Sequence, residues 1–370
     1  MLESFLAMLR GETPRRIVWT GDLDYWLAGQ RVAGTLRPEW NTAEGRLQLH
    51  RELGMMPYLV DYEKFWAAEP RYDSRVELVV QTDGPSTTRR LRTPLGELCE
   101  ESVFSRASCS AAVARYAVQT QRDLEILLYL VEHRRLEPSH LDDYPQRAAL
   151  WRRYDGLPCL ALPRSPLATL CYEWAGLQNA AFLIADHEPL VREIFQRMEA
   201  QEEPILDAIA AIKPPLVHFP DNLSSQNLTG LYDAFMGPGH RQRIARLHAA
   251  GVKCAVHLDG TVRGLLPKLA AVGFDAIEAV TPKPGGDLTV EEIDSLRAHA
   301  AQTANWSGIL WGGVPGVLFA SPFTWKDMEA HVRRVLDLWG RRPFVLGIAD
   351  QVPPDGNIDF CRRIAAMVAP

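Results

Sequence analysis

Short apolar runs at 157–162, 216–219, 252–257, 276–280, 309–312 and 344–348 have the length and continuity of strands buried on both faces. Amphipathic stretches of helical length at 188–211, 238–250, 262–272, 289–303 and 325–339 separate them. Strand and helix in alternation call for right-handed crossovers and a parallel sheet. The number of units predicts a (β/α)8 TIM barrel, an α/β fold, with an open doubly wound sheet as the second architecture.

The first 150 residues are less regular. Leu2, Phe5, Leu6, Met8 and Leu9 recur at helical spacing until Gly11 and Pro14, which predicts a short helix docked on the domain for packing. Residues 17–20 read as a strand that delivers the polar and aromatic cluster 21–26 to a loop. Alternation at 76–81, with Gly84, Pro94 and Gly96 as punctuation, predicts an antiparallel insertion within 56–106. From about residue 112, Val113, Tyr116, Ala117, Leu124, Leu127 and Val131 read as helical stripes. There is no low-complexity linker or charge block. Residues 1–370 are therefore expected to form one domain: an N-terminal elaboration over 1–150, with the first strand and the insertion, and regular β/α units over 151–370.

Composition narrows the function. With 40 Lys plus Arg against 46 Asp plus Glu, the net charge of -6 offers nothing to a phosphate backbone, so nucleic acid is not an expected partner. The six cysteines lie far apart without C-x-x-C pairs, which reads as buried thiols in a reducing, cytoplasmic setting. No stretch of about 18 uncharged apolar residues occurs, and the start lacks a secretory pattern, so no membrane partner is expected. G-x-G-x-x-G, Walker, G-x-S-x-G and H-E-x-x-H patterns are missing, which argues against dinucleotide enzymes, P-loop NTPases, serine hydrolases and metalloproteases of the H-E-x-x-H type.

In a barrel the chemistry projects from the C-terminal strand ends. Polar residues that end or follow apolar runs are Asp22, Asp24, Arg164, His218, Asp221, Asn222, His257, Asp259, Glu278 and Asp350. Taken singly, each is more often a solvated or capping group; their recurrence at successive strand ends marks them as candidates. Asp22, Tyr25, Trp26, Arg164, His218, Asn222 and Trp311 are candidates to line a substrate pocket, most of the other tryptophans being core residues.

One segment carries a family likeness. The string Gly251-Val252-Lys253-Cys254-Ala255-Val256-His257-Leu258-Asp259-Gly260, then Gly273-Phe274-Asp275, resembles the uroporphyrinogen decarboxylase superfamily, where a strand ends in H-x-C-G or a related tetrapeptide and the next opens with G-x-D. Residues 346–354 are similar to that family's last strand and its G-C-x-V-P-P loop, and Pro163, Pro166 and Gly176 fit its middle. The resemblance spans most of the chain and implies a (β/α)8 barrel.

The family's corrinoid-linked methyltransferases carry zinc; its decarboxylases use no cofactor and open with R-Q-A-G-R-Y. The nearest string here, 29–34, does not match that motif. By resemblance to the methyltransferase branch, His257 keeps the histidine, Asp259 and Asp350 stand where cysteines would, and Glu278 is a fourth candidate ligand. Replacing thiolates by carboxylates makes a harder site, suited to Zn, Mn or Fe. The catalytic candidates are His257, Asp259 and Asp350. The expected function is metal-assisted methyl transfer between a small molecule and a corrinoid on a partner protein. Alternatives are a decarboxylase holding carboxylates through Arg31, Arg164 or Arg263, and a non-catalytic ligand-binding barrel. Self-association is left open.

Overall fold

The computed structural model describes residues 1–369. In chain order the elements are α1 (Leu2–Leu9), β1 (Val18–Asp22), α2 (Asp24–Ala33), α3 (Ala43–Glu52), β2 (Ala68–Tyr72), β3 (Glu77–Asp83), β4 (Ser86–Thr93), β5 (Gly96–Ser105), β6 (Ser110–Arg115), α4 (Gln121–Glu132), β7 (Arg134–Pro138), α5 (Tyr144–Arg152), α6 (Pro166–Thr169) and α7 (Leu177–Ile212). The regular units then follow: β8 (Leu216–Leu223), α8 (Ser225–Phe235), α9 (Gly237–Ala249), β9 (Lys253–Leu258), α10 (Leu266–Val272), β10 (Ala276–Val280), α11 (Val290–Thr303), β11 (Ile309–Pro315), α12 (Trp325–Trp339), β12 (Phe344–Gln351) and α13 (Asp359–Met367).

Six parallel strands pair in the order β1-β12-β11-β10-β9-β8. Two irregular segments complete the ring. Met56 N donates to Trp19 O at 2.8 Å, and Leu157 N donates to Pro57 O at 3.0 Å. On the other side, Leu162 N donates to His218 O at 3.0 Å and His218 N to Leu160 O at 2.8 Å. The chain around 56–58 and the run 157–162 thus serve as the remaining two staves of an eight-membered wall. The expected strand at 157–162 forms only bridges at Ala161, because its partner Trp66 joins it at a single position. The stave at Met56 lacks any β-branched run and was not expected.

The antiparallel insertion is real but displaced. The four-stranded sheet β3-β4-β5-β6 spans Glu77–Arg115, and β2 pairs with β7 as a separate ribbon. Residues 56–66 belong to the barrel wall rather than the insertion. Val113, expected in a helix, lies in β6; the helix begins only at Gln121, where Thr120 and Asp123 form a capping box.

Alternation along the strands decides what faces the barrel interior. Val18, Leu216, Ala255, Ala276, Ile309, Trp311 and Val345 form one buried cluster with Phe5, Tyr58, Phe65 and Cys159. Phe5 of α1 meets Trp311 edge-on at 5.2 Å between centroids, so α1 plugs the lower, N-terminal end of the barrel. The expected packing helix is therefore a stopper. Trp311 also lies 4.7 Å from Tyr58 and donates to Thr20 Oγ1 at 2.9 Å. A Cβ on Gly347 would come within 2.8 Å of its indole, so glycine makes room for this ring. Two residues further up β8, β9 and β10, the inward positions change from Leu216, Ala255 and Ala276 to His218, His257 and Glu278. Hydrophobic floor gives way to polar chemistry.

Candidate functional site at the barrel mouth

His218, His257 and Glu278 come together because adjacent parallel strands put the same inward parity side by side: Glu278 is in register with His257, and His218 with Ala255. One ligand atom from each of the three lies within 4.8 Å of the other two. His257 Nδ1 is 2.5 Å from Glu278 Oε2, and His218 Nε2 is 3.8 Å from that same oxygen. All three side chains are almost wholly buried. Beneath them, Tyr58 OH stands 3.4 Å from His218 Nδ1, and the ring of Phe65 meets the His218 imidazole edge-on at 5.7 Å between centroids.

The two histidines are driven in opposite directions. Burial pulls His218 down to about 4, with Glu278 opposing and His257 reinforcing the shift, so its ring is neutral. Burial also works against the charged form of His257, but Glu278, through charge and hydrogen bond, and then Asp350 and Asp259 raise it to about 9. Asp350, at the end of β12, faces His257 Nε2 with Oδ1 at 3.6 Å. Its carboxyl is raised by burial and by the neighbouring charges of Glu278 and Asp259, although His257 opposes this.

A second group of acids borders the first. Asp22, fully buried at the end of β1, accepts from Tyr62 OH at 2.5 Å and from the backbone N of Asp24 at 2.8 Å. Burial, then the charge of Asp24, pushes Asp22 well above the carboxylate range, and Asp350 adds to it. Asp24 is raised by burial to about 6. Tyr25 is 40% exposed; burial, together with the charges of Asp350, Asp22 and Asp259, raises its phenol. Its backbone N–H donates to Gln351 Oε1 at 3.1 Å. The mouth is therefore acidic.

The other expected site residues are distributed as follows. Asp259 is exposed and acts on His257 and Asp350 through its charge. Asn222, at φ 50°, offers its carbonyl to Tyr172 OH at 2.7 Å. Trp26 turns into the outer core against Trp40, 5.4 Å between centroids, away from the mouth. Trp311 belongs to the floor of the barrel, its indole N–H already satisfied. Arg164 pairs with Glu173 at 3.0 Å beside a different cavity. Proximity to polar or Gly-rich strand ends makes both tryptophans pocket candidates in the sequence, and each instead follows the strand or helix face that is apolar. Asp221, flagged beside Asn222, lies outside the mouth: it takes Ser165 N at 2.6 Å, Ser165 Oγ at 3.0 Å and His240 Nε2 at 2.7 Å, while Tyr232 OH meets the other nitrogen of His240 at 3.0 Å. That buried chain ties the 163–169 turn and α9 to the end of β8.

Tyr62 and Tyr58 were not expected at the site. Their only sequence signal is position: both lie beside the irregular stave at 56–58, which sequence alone does not reveal.

No family model matches the sequence, and no curated protein matches it. Among solved structures the chain is similar to a methyltransferase from Methanosarcina mazei, with TM-score 0.58 at 13% identity over 99% of this chain and 97% of that one. It also aligns with a B12-independent methionine synthase from Shewanella sp. W3-18-1, TM-score 0.46, 11% identity, covering 91% and 89% of the two chains. At such identities the first likeness is one of fold, and it agrees with the (β/α)8 barrel; the second carries no argument. Among the described residues, no helix is long and apolar enough to cross a membrane.

Proposed function

We propose that the chain is an enzyme of the uroporphyrinogen decarboxylase superfamily, of the metal-assisted methyl-transfer branch, with its reaction centre at the His218, His257 and Glu278 cluster. The observation that carries this reading is the convergence of two imidazoles and one carboxylate within 4.8 Å at the C-terminal end of a barrel. Two histidines and a glutamate form the donor set of catalytic zinc sites, where a fourth position stays open to substrate. These residues fit such an ion: His218 is neutral and has a free ring nitrogen to offer. A zinc ion held there would supply Lewis acidity toward a substrate heteroatom. His218 replaces Asp259 in the ligand set that the resemblance implied, and Asp350 is the adjacent proton carrier, its carboxyl raised toward the range useful for exchange.

The acidic mouth favours a neutral or cationic substrate over an acidic one. Asp259, Glu278 and Asp350 surround it, burial pushing Asp22 toward its neutral form, while the arginines considered for holding carboxylates are exposed or already engaged by acids. Arg31 is exposed on α2, where its charge acts on Asp24, Arg164 pairs with Glu173, and Arg263 reaches Asp287 and Glu292. Decarboxylation of a tetrapyrrole acid would place several carboxylates against this field, so that alternative is disfavoured. A metal-free acid–base pair has its own support, the direct 2.5 Å contact of His257 with Glu278.

The test is metal content by mass spectrometry, followed by methyl transfer between methylcobalamin and a small thiol, read from the corrinoid spectrum. Stoichiometric zinc with turnover supports the proposal. Turnover without metal favours the acid–base pair, and neither metal nor turnover favours a binding barrel.

A further inference from the structure

Between the β2 and β7 ribbon, the middle of α7 and the segment leaving the barrel at Pro163 lies a cavity of about 300 Å³. It shares no residue with the His218, His257 and Glu278 cluster. Trp66, Leu136 and Met198 supply apolar wall; Arg134 and Arg164 supply positive charge and Glu63, Glu69, Glu173 and Glu202 negative charge. This volume lies at the lower end of the range used for small ligands.

The charges are not balanced within the protein. Arg164 pairs with Glu173 at 3.0 Å and lies over the ring of Trp66, 5.4 Å from its centroid. Glu202 Oε1 accepts from Arg243 at 2.5 Å. Arg134 differs: its Nε donates to Gln201 Oε1 at 3.0 Å, but among the described residues no carboxylate pairs with its guanidinium. Burial works against its charge, and Tyr72, Glu173 and Glu202 oppose this only as longer-range attractions. Two more groups are left over. Glu202 Oε2 and Arg164 Nε are both buried without a hydrogen-bond partner, and Glu202 as a whole is 3% exposed. Buried polar groups are normally satisfied, and an unpaired buried cation is costly. Two such atoms beside a half-buried guanidinium without a counter-charge are what a bound ligand would complete.

We infer that this cavity binds a small carboxylic acid with an apolar body and a hydroxyl or amine. The carboxylate lies on the guanidinium of Arg134, the body rests against Trp66, Leu136 and Met198, and the donor reaches Glu202 Oε2. Arginine suits the first role because its fork grips a carboxylate through two parallel bonds. The two guanidinium groups share the wall with Glu63, Glu69, Glu173 and Glu202, so the ligand has to bring a donor as well as an acid.

Calorimetric titration with 4-hydroxyphenylacetate, phenylacetate and tyramine tests this. The hydroxylated acid should bind saturably, phenylacetate several-fold more weakly, and tyramine, which exchanges the carboxylate for an ammonium and so leaves Arg134 without its partner, at least tenfold more weakly. Arg134→Gln should weaken 4-hydroxyphenylacetate at least tenfold while Tm stays unchanged or rises, since an unpaired buried charge has been removed. Glu202→Gln should bring the hydroxylated acid toward phenylacetate. The site is independent of the mouth, so His257→Ala should leave the titration unaltered. No saturable binding of either acid, equal binding of tyramine, or unchanged affinity in Arg134→Gln would overturn the inference. Should Arg134→Gln fail to fold, Arg134→Lys keeps the charge and loses the fork; it must weaken the acid several-fold, and undiminished affinity would count against the site equally.

Discussion

His257 Nε2 faces Asp350 Oδ1 at 3.6 Å, although their strands, β9 and β12, are not neighbours in the sheet. Curvature of the barrel brings them together across the mouth, and the opposite nitrogen of the same ring belongs to Glu278. One imidazole thus links a buried carboxylate to a half-exposed one.

If Asp350 carries protons rather than holding metal, Asp350→Asn should lower the methyl-transfer rate by on the order of 100-fold, as loss of a positioned acid or base does. Zinc content should remain that of the parent. A variant that loses zinc along with activity would place Asp350 among the ligands instead.

His257→Ala should remove both zinc and activity while leaving the barrel folded. Its cost is set by stranding Glu278 in a buried position without its partner, about 1–3 kcal/mol. Denaturant melts with and without zinc measure this directly; retention of full zinc occupancy would contradict the proposed donor set.

The plug at the lower end makes a stability prediction independent of function. Phe5 is fully buried against Trp311 and Tyr58, so Phe5→Ala should destabilise by about 3–5 kcal/mol, the usual range for an aromatic emptied from a core. Chemical denaturation should show the midpoint fall with little change in slope. A loss under 1 kcal/mol would mean that α1 is not part of the core.

Burial raises Glu202 from 4.5 to about 7 against the opposing attraction of Arg243. Folding therefore favours the protonated carboxyl. Its contribution is complete below about 4.5 and is lost as pH climbs through about 7, a change on the order of a few kcal/mol. In Glu202→Gln that part of the dependence should vanish. Tm recorded from pH 5 to 7.5 would then fall less steeply in the variant than in the parent, and parallel curves would refute the assignment.

The regular half of the barrel was legible because buried parallel strands are continuous apolar runs, and 325–339 is observed as the helix Trp325–Trp339 that its periodicity predicts. The staves near Met56 and at 157–162 were hidden or misread for the opposite reason: they bond to the wall at isolated points and need no strand-like sequence. His257, Glu278 and Asp350 could be found as polar endings of strands. His218 was visible on the same ground, yet its partnership with Glu278 depends on the shear between β8 and β10, which no single strand encodes. Trp26 and Trp311 show the limit of proximity in sequence. Trp26 lies near a polar strand end and Trp311 beside a Gly-rich one, and each follows the inward or outward parity of its own backbone instead.

The stopper formed by α1 also orders events in time. Its partners Trp311 and Val345 lie at the far end of the chain, so the lower aperture stays open until β11 and β12 have been synthesised and paired. Until then Leu2, Phe5, Met8 and Leu9 can pack only on the earlier part of that cluster, such as Val18, Met56, Tyr58 and Phe65. Contacts of such sequence separation slow folding and leave apolar surface exposed to chance encounters. The apolar face of the helix that plugs the barrel is therefore fully covered only once β11 and β12 are in place.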